Sequence, residues 1–441
     1  MNDIRLTFRD KDFWGWLLNP EPSSGTTRYL SRIAKNQIEA GYVLDLLKED
    51  QYDRQSSEIF EKLSYYMPRQ YFLEVDFCAY TYATIFSQVF PPLMARVGEL
   101  AYTEWLLYTE PDILRYRDHL VHMFKVAYVG DQLLSIDDLK ANLTSSQFQC
   151  SHFDKWCRDR VLNLSSFNQD DKNEIMDLAF FFAALFHDFG YGYFFHRKYK
   201  GRLFRLYEWL LPGSDLTDST SRGVQLMLRS LACAFVKHNH AWFNLSERIK
   251  ASQTLQRSVV SGFLHDCLPL NHGIASTFFI VDITEKLWAA KAINSKLYIA
   301  LHLAAEAAMI HDMKNQDTWA HLSPKKQNHF LDTDCHNHVP LALLLIFADE
   351  LASWRRYQLR AEPKGDKVTY SMDSSNIPEE IALIVSNDSI TVQPLHPQSH
   401  DLAKDPVAHA FSNDLEFLRK RKNDKHLNIM GYKVYVKPRY F

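Results

Sequence analysis

Residues 178–195 read LAFFFAALFHDFGYGYFF. The run from Leu178 to Phe186 is apolar without a break and leads directly into His187-Asp188. A segment that is apolar on every face belongs in a core, and as a helix it carries the His-Asp pair inward with it. A buried imidazole and carboxylate are costly unless their polar atoms are compensated. A divalent cation compensates both, because imidazole nitrogen and carboxylate oxygen are ordinary neighbouring ligands. Gly190 and Gly192 are expected to let the backbone turn away and to leave open space beside the pair. An isolated His-Asp dipeptide is more often a helix end whose aspartate caps a loop. The apolar run and the glycines bring metal ligation close to level with that alternative.

Four other stretches place ligand-type residues in apolar surroundings. In RYRDHLVHMFKVAYVG (115–130), His119 and His122 are spaced to share a helical face, and Thr109-Glu110-Pro111-Asp112 resembles the start of the helix that carries them. His272 heads the apolar segment of LNHGIASTFFI, and His311 ends LHLAAEAAMIHDM, whose alanines allow neighbouring helices to approach closely. Asp349 lies in LALLLIFADELASW, an apolar helix that should not hold an unpaired carboxylate. Each is weak alone, and the set is stronger than its members.

The 441 residues, 46% apolar and 23% charged, suggest two or three globular domains. Only 14 glycines over that length favour long helices over sheet. A net charge of −3 excludes a generally basic surface, so a nucleic-acid role would need a local patch. Six cysteines with no CxxC pair read as reduced thiols. The N-terminus, MNDIRLTFRDKDFW, has no apolar signal region, and the longest apolar runs are far shorter than the roughly 20 residues that span a bilayer. The expected location is therefore the cytoplasm, without a membrane partner. Residues 1–110 show helical periodicity in YLSRIAKNQIEAGYVLDLLKE and EVDFCAYTYATIFSQVF. Residues 111–360 hold the candidate ligands, with 140–172 and 196–225 read as loops or insertions. Residues 361–441 read as a small α+β appendage, joined by EPKGDK and built on VTYSMD, EIALIVS, SITVQP and GYKVYVKPRY, with a charged helical segment DLEFLRKRK. The expected fold class is mainly α.

On these residues the chain resembles the HD superfamily of metal-dependent phosphohydrolases. HMFKVA is similar to the family's first element, ALFHDFGYG to the second, HGIAS and AAMIHDM to the later histidines and FADELASW to the closing aspartate. The resemblance covers roughly residues 112–357. It implies an HD-type helical bundle and a metal site of His122, His187, Asp188, His272, His311 and Asp349. One or two divalent ions are implied: Mn²⁺, Fe²⁺, Mg²⁺, Zn²⁺, Co²⁺ or Ni²⁺. Asp188 would be the catalytic bridge. His119 is either a general acid for the leaving oxygen or a hydrogen-bonding support for its neighbours. DHxxH and DELxxW together resemble a branch of HD proteins proposed as effectors in prokaryotic conflict systems.

Arg197, Lys198, Lys200, Arg202 and Arg205 follow the His-Asp loop and could bind a substrate phosphate, with Tyr191, Tyr193 and Phe194 available to stack on a base. A solvated basic loop is the plain alternative. Arg117 and Lys125 are further phosphate-binding candidates. His265-Asp266, the stretch LDTDCHNH and the basic run Arg419 to Lys422 are read as lying outside the site. The expected substrate is a nucleotide or another phosphorylated small molecule, with cyclic nucleotides or cyclic oligonucleotides ahead of nucleoside triphosphates. Nucleic acid, cleaved by a single-strand nuclease, is less favoured, and a homo-oligomer is left open. The rival from another class is a non-catalytic HD protein that binds a nucleotide and signals. Asp312, standing where two-metal members often have a second histidine, is its main support.

Overall fold

The computed structural model describes residues 3–18, 69–86, 115–149, 153–154, 157–158, 162–190, 272–311, 340–354, 358–364, 367–372, 378, 380–395 and 427–437. They form strand β1 (Ile4–Phe8), helix α1 (Asp10–Leu18), α2 (Arg69–Thr84), β2 (Arg115–Arg117), α3 (Leu120–Leu134), α4 (Asp137–Phe148), α5 (Gln169–Phe186), α6 (His272–Ala289), α7 (Ser295–His311) and α8 (Pro340–Leu351). Strands β3 (Gln358–Lys364), β4 (Lys367–Met372), β5 (Glu380–Val385), β6 (Ser389–Leu395), β7 (Leu427–Ile429) and β8 (Tyr432–Val436) follow. The described part is mainly helical, as the composition leads one to expect. None of its helices is long and apolar enough to cross a membrane.

Helix α5 is the central post. Asn168 accepts from Asp171 N at 2.8 Å while Asp171 Oδ2 accepts from Asn168 N at 3.1 Å, a reciprocal cap that satisfies two backbone donors at its start. From Ile175 to Phe186 every residue is buried. The helix packs most extensively on α7 and also meets α3, α4, α6 and α8. Gly130 of α3 makes room for it: a Cβ there would lie 1.8 Å from the Phe180 ring. Each large apolar side chain buried this way contributes about 1.5–3 kcal/mol, so the apolar run anchors the bundle before any polar contact is counted.

Several sequence expectations change in the structure. The helix over EVDFCAYTYATIFSQVF appears as α2, whereas residues 29–49 lie outside the described residues. Within 140–172, read as loop or insertion, the described residues are partly helical, and α4 buries Leu143, Thr144 and Gln147 there. The helix carrying His122 does not run through His119: residues 115–117 form β2, paired with β3, and α3 begins at Leu120 with His119 as its N-cap. The N-terminal region is not purely helical. Residues 4–8 alternate apolar and polar, and they form the edge strand of the C-terminal sheet, whose order is β1-β5-β6-β8-β7. Ile4 pairs with Val385 and Phe8 with Ile381 in antiparallel register. A five-residue strand gains nothing until it meets a sheet, and this partner is remote in sequence. Of the stretch EPKGDK, expected as a linker, Glu362 to Lys364 lie in β3 and Lys367 opens β4, in antiparallel register from Leu359↔Met372 to Lys364↔Lys367, while residues 365–366 lie outside the described residues. The four β-like runs correspond to β4, β5, β6 and β8 in turn. Residues 414–422 lie outside the described residues.

One core position carries an unusual charge balance. Glu306 of α7 is buried, and its Oε1 finds no hydrogen-bond partner among the described residues. Burial pushes its carboxyl up to about 8. A folded-state value above the unfolded one means that the unfolded chain loses its proton first. Stability is therefore lost progressively as pH rises from the ordinary carboxylate range to about 8. Glu306→Gln should abolish that slope. At about 1.4 kcal/mol per pH unit, the variant is expected to gain on the order of 4 kcal/mol over the wild type above pH 8 and little at acid pH. Urea denaturation across pH checks this, and parallel curves for the two proteins would contradict it.

Candidate metal centre

Six side chains meet where the ends of five helices converge. His122 lies in the first turn of α3, His187 caps the end of α5 with Asp188 next to it, His272 opens α6, His311 closes α7 and Asp349 lies near the end of α8. All except Asp349 are buried, and the Asp349 side chain is 12% exposed. His122 Nε2 lies 2.6 Å from Asp349 Oδ1. His187 Nε2 is 3.8 Å from the same Asp349 oxygen and 3.5 Å from Asp188 Oδ2. On the other side of Asp188, Oδ1 is 3.1 Å from His272 Nε2 and 3.7 Å from His311 Nε2. The last two nitrogens are 3.0 Å apart.

These contacts resolve into two groups that share His187. The ligand atoms of His122, His187 and Asp349 lie within 4.8 Å of one another, as do those of His187, Asp188 and His311. Each group could hold a metal ion.

The ring orientations favour that use. His187 Nδ1 donates to Ala184 O at 2.8 Å, and His311 Nδ1 donates to Ala308 O. With its proton on Nδ1, each ring turns an Nε2 lone pair toward the centre, as a metal-ligating histidine does when its other nitrogen is held by a carbonyl. His187 Nε2 is buried without a hydrogen-bond partner among the described residues. The Nε2 atoms of His272 and His311, 3.0 Å apart, have a spacing that suits two nitrogens at about 2.0–2.1 Å from one ion. The donor set, four imidazoles and two carboxylates without a thiolate, fits borderline and hard divalent ions. The residues therefore fit such a cofactor.

Electrostatics inside the site are strongly coupled. Burial alone would raise the Asp188 carboxyl. His187, and then His272 and His311, outweigh it and hold the group well below the usual carboxylate range. Burial alone would likewise lower the His187 imidazole, but Asp188 and then Asp349 raise it above its ordinary value. A multivalent cation can take over this role of balancing the buried Asp188 and the partly buried Asp349.

The supporting contacts were not read from the sequence. Gly190 N donates to Ser276 Oγ at 2.7 Å, and that hydroxyl donates to His187 O at 3.1 Å, tying the His-Asp turn to α6. Thr277 Oγ1 bridges Gly273 O and Ala305 O, tying α6 to α7. Gly190 is not in the left-handed region, and a Cβ there would lie 1.9 Å from His272 O. The chain turns at residues 187–190 as expected, but Gly190 serves close backbone approach and leaves no open space beside it. A Cβ at Gly273 would lie 2.4 Å from Ala308 O. The signal available in HGIAST was small and hydroxyl residues at helical spacing around the histidine.

The remaining candidates are placed as follows. His119 is buried at the N-cap of α3, one turn before His122, with Asp118 buried beside it. Lys125 does not offer a free charge to a phosphate: its ammonium is buried, donates to Trp354 O at 3.1 Å and pairs with Asp10 at 3.1 Å. Arg117 lies in β2, its side chain outside the described residues, as are Tyr191, Tyr193, Phe194, Arg197, Lys198, Lys200, Arg202 and Arg205. His265-Asp266, LDTDCHNH and Arg419 to Lys422 also lie outside them. Set against known protein families, curated proteins and solved structures, the chain matches none.

Proposed function

We propose that the chain is a metal-dependent phosphohydrolase of HD type that cleaves phosphate ester or anhydride bonds of nucleotides. Cyclic nucleotides and cyclic oligonucleotides are the first substrate class and nucleoside triphosphates the second. The observation that carries this reading is the buried meeting of four histidines and two aspartates, with Nε2 of His187 and of His311 turned inward by backbone acceptors.

His122, His187 and Asp349 would hold one ion, and Asp188, His272 and His311 a second, with His187 and Asp188 adjoining both. When bound, such ions polarise a phosphoryl oxygen and bring the pKa of a water toward neutrality. Water then adds to phosphorus, the bond to the leaving oxygen breaks, and that oxygen takes up a proton. His119, at the mouth of α3, is the candidate donor of that proton. Arg117 and the basic residues 197–202 are the candidates for binding the substrate's non-bridging oxygens.

Protein loaded separately with Mn²⁺, Mg²⁺ and Fe²⁺ is to be incubated with a pool of cyclic nucleotides, cyclic dinucleotides, nucleoside triphosphates and a short single strand. Mass spectrometry then reads the products. Metal-dependent loss of one component, absent in Asp188→Ala, supports the reading and names the bond. No turnover with metal bound favours the binding-and-signalling alternative, and loss of the strand alone favours a nuclease. His311 lies with Asp188 and His272 at the centre, so the Asp312 that follows it does not leave the second group without an imidazole.

A further inference from the structure

Asp10, the first residue of α1, closes a polar triangle between two of the ligand-bearing helices. Its Oδ1 accepts from Trp354 Nε1 at 3.0 Å and lies 3.1 Å from Lys125 Nζ. Lys125 Nζ in turn donates to Trp354 O at 3.1 Å and stands 5.0 Å from the centroid of the Trp354 ring. The Lys125 side chain is 4% exposed, so its charge depends on Asp10 for compensation. Lys125 is one helical turn beyond His122, and Trp354 closely follows Asp349 at the end of α8. The same two elements meet again in the His122–Asp349 contact at 2.6 Å. Helices α3 and α8 are therefore held together at two levels, one of them made of ligands and the other of Asp10 and its partners.

Asp10 is itself held from behind. Phe8, two residues earlier, stacks on Trp354 with ring centroids 5.9 Å apart, and its strand pairs with β5. Further along α1, Trp16 Nε1 donates to Asp131 Oδ2 at 3.0 Å on the more distant part of α3. The carboxylate that faces Lys125 thus sits on an element fixed at both ends.

We propose that Asp10 is a positioning residue for the His122–Asp349 half of the centre: by holding Lys125 against Trp354 it sets the spacing of two ligands carried on different helices. The inference rests on the reading of the six side chains as a metal site. It requires that removing the Asp10 charge weaken one ion and spare the other.

The test is a titration of Mn²⁺ against a competing chelator for wild type, Asp10→Asn and Trp16→Phe, with folding followed by circular dichroism. Asparagine keeps an oxygen for Trp354 Nε1 but removes the charge facing Lys125. Trp16→Phe loosens the same helix away from the ligands. The expected result is about tenfold weaker binding of one ion in Asp10→Asn, in the range seen when a ligand's supporting partner is lost, with the second ion and Trp16→Phe unchanged. If Asp10→Asn does not fold, Asp10→Asn/Lys125→Met, which buries no unpaired charge, is expected to fold and show the same loss. Unchanged affinity in the Asp10 variants, or an equal loss in Trp16→Phe, overturns the inference and leaves the centre standing. Wild-type protein that binds no Mn²⁺ overturns the reading of the centre, and the inference with it.

Discussion

Asp188→Ala is expected to lose more activity than any other single substitution, by over about a hundredfold, since even outer partners of metal ligands cost roughly 10–100-fold. The reason is its position between the two groups. One oxygen faces His187 at 3.5 Å and the other faces His272 at 3.1 Å and His311 at 3.7 Å. Alanine removes the charge that raises His187 and leaves three imidazoles around an uncharged gap. The variant should therefore bind less metal in both halves, whereas Asp349→Ala should impair chiefly the half containing His122. Activity on the substrate found in the pooled assay, measured beside metal content, checks the difference. An Asp188→Ala protein with wild-type turnover would remove the basis for the mechanism.

Gly190→Ala is expected to have the second largest effect, although glycine to alanine is chemically slight. The added methyl would sit 1.9 Å from His272 O, 2.8 Å from His272 C and 2.9 Å from Ser276 N. These are backbone atoms at the start of α6, so relief requires the helix itself to move. Such overpacking typically costs about 1–3 kcal/mol. Displacement of His272 should also loosen its 3.1 Å approach to Asp188. Urea denaturation of metal-free protein and metal binding should both fall. A variant of unchanged stability and unchanged binding would show that the turn has another way to pack.

The candidate ligands are legible in the sequence for a physical reason. His187, Asp188, His311 and Asp349 each interrupt or end a run of apolar residues, and an interruption of that kind is visible without any knowledge of neighbours. The mainly helical class was legible from the same periodicity. What lay hidden was non-local. IRLTF carries a strand pattern, but its partner Glu380–Val385 lies at the other end of the chain. RYR was absorbed into a helix because only its pairing with Gln358–Arg360 makes it a strand. Lys125 looked like a phosphate ligand because Asp10 and Trp354, which engage it, are distant in sequence. The chain does turn at residues 187–190, but the space beside Gly190 is filled by the start of α6: a glycine that leaves room and a glycine that admits another backbone read alike.

The most direct test of the central claim is metal stoichiometry. Wild type, His311→Ala and Asp349→Ala, stripped and reloaded with Mn²⁺ or Zn²⁺, are to be dialysed to equilibrium and analysed for metal per chain. The account predicts two ions in the wild type and a loss of about one in each variant, from opposite halves of the same six-residue cluster. Wild-type protein that retains no metal, or variants that retain as much as the wild type, would contradict it.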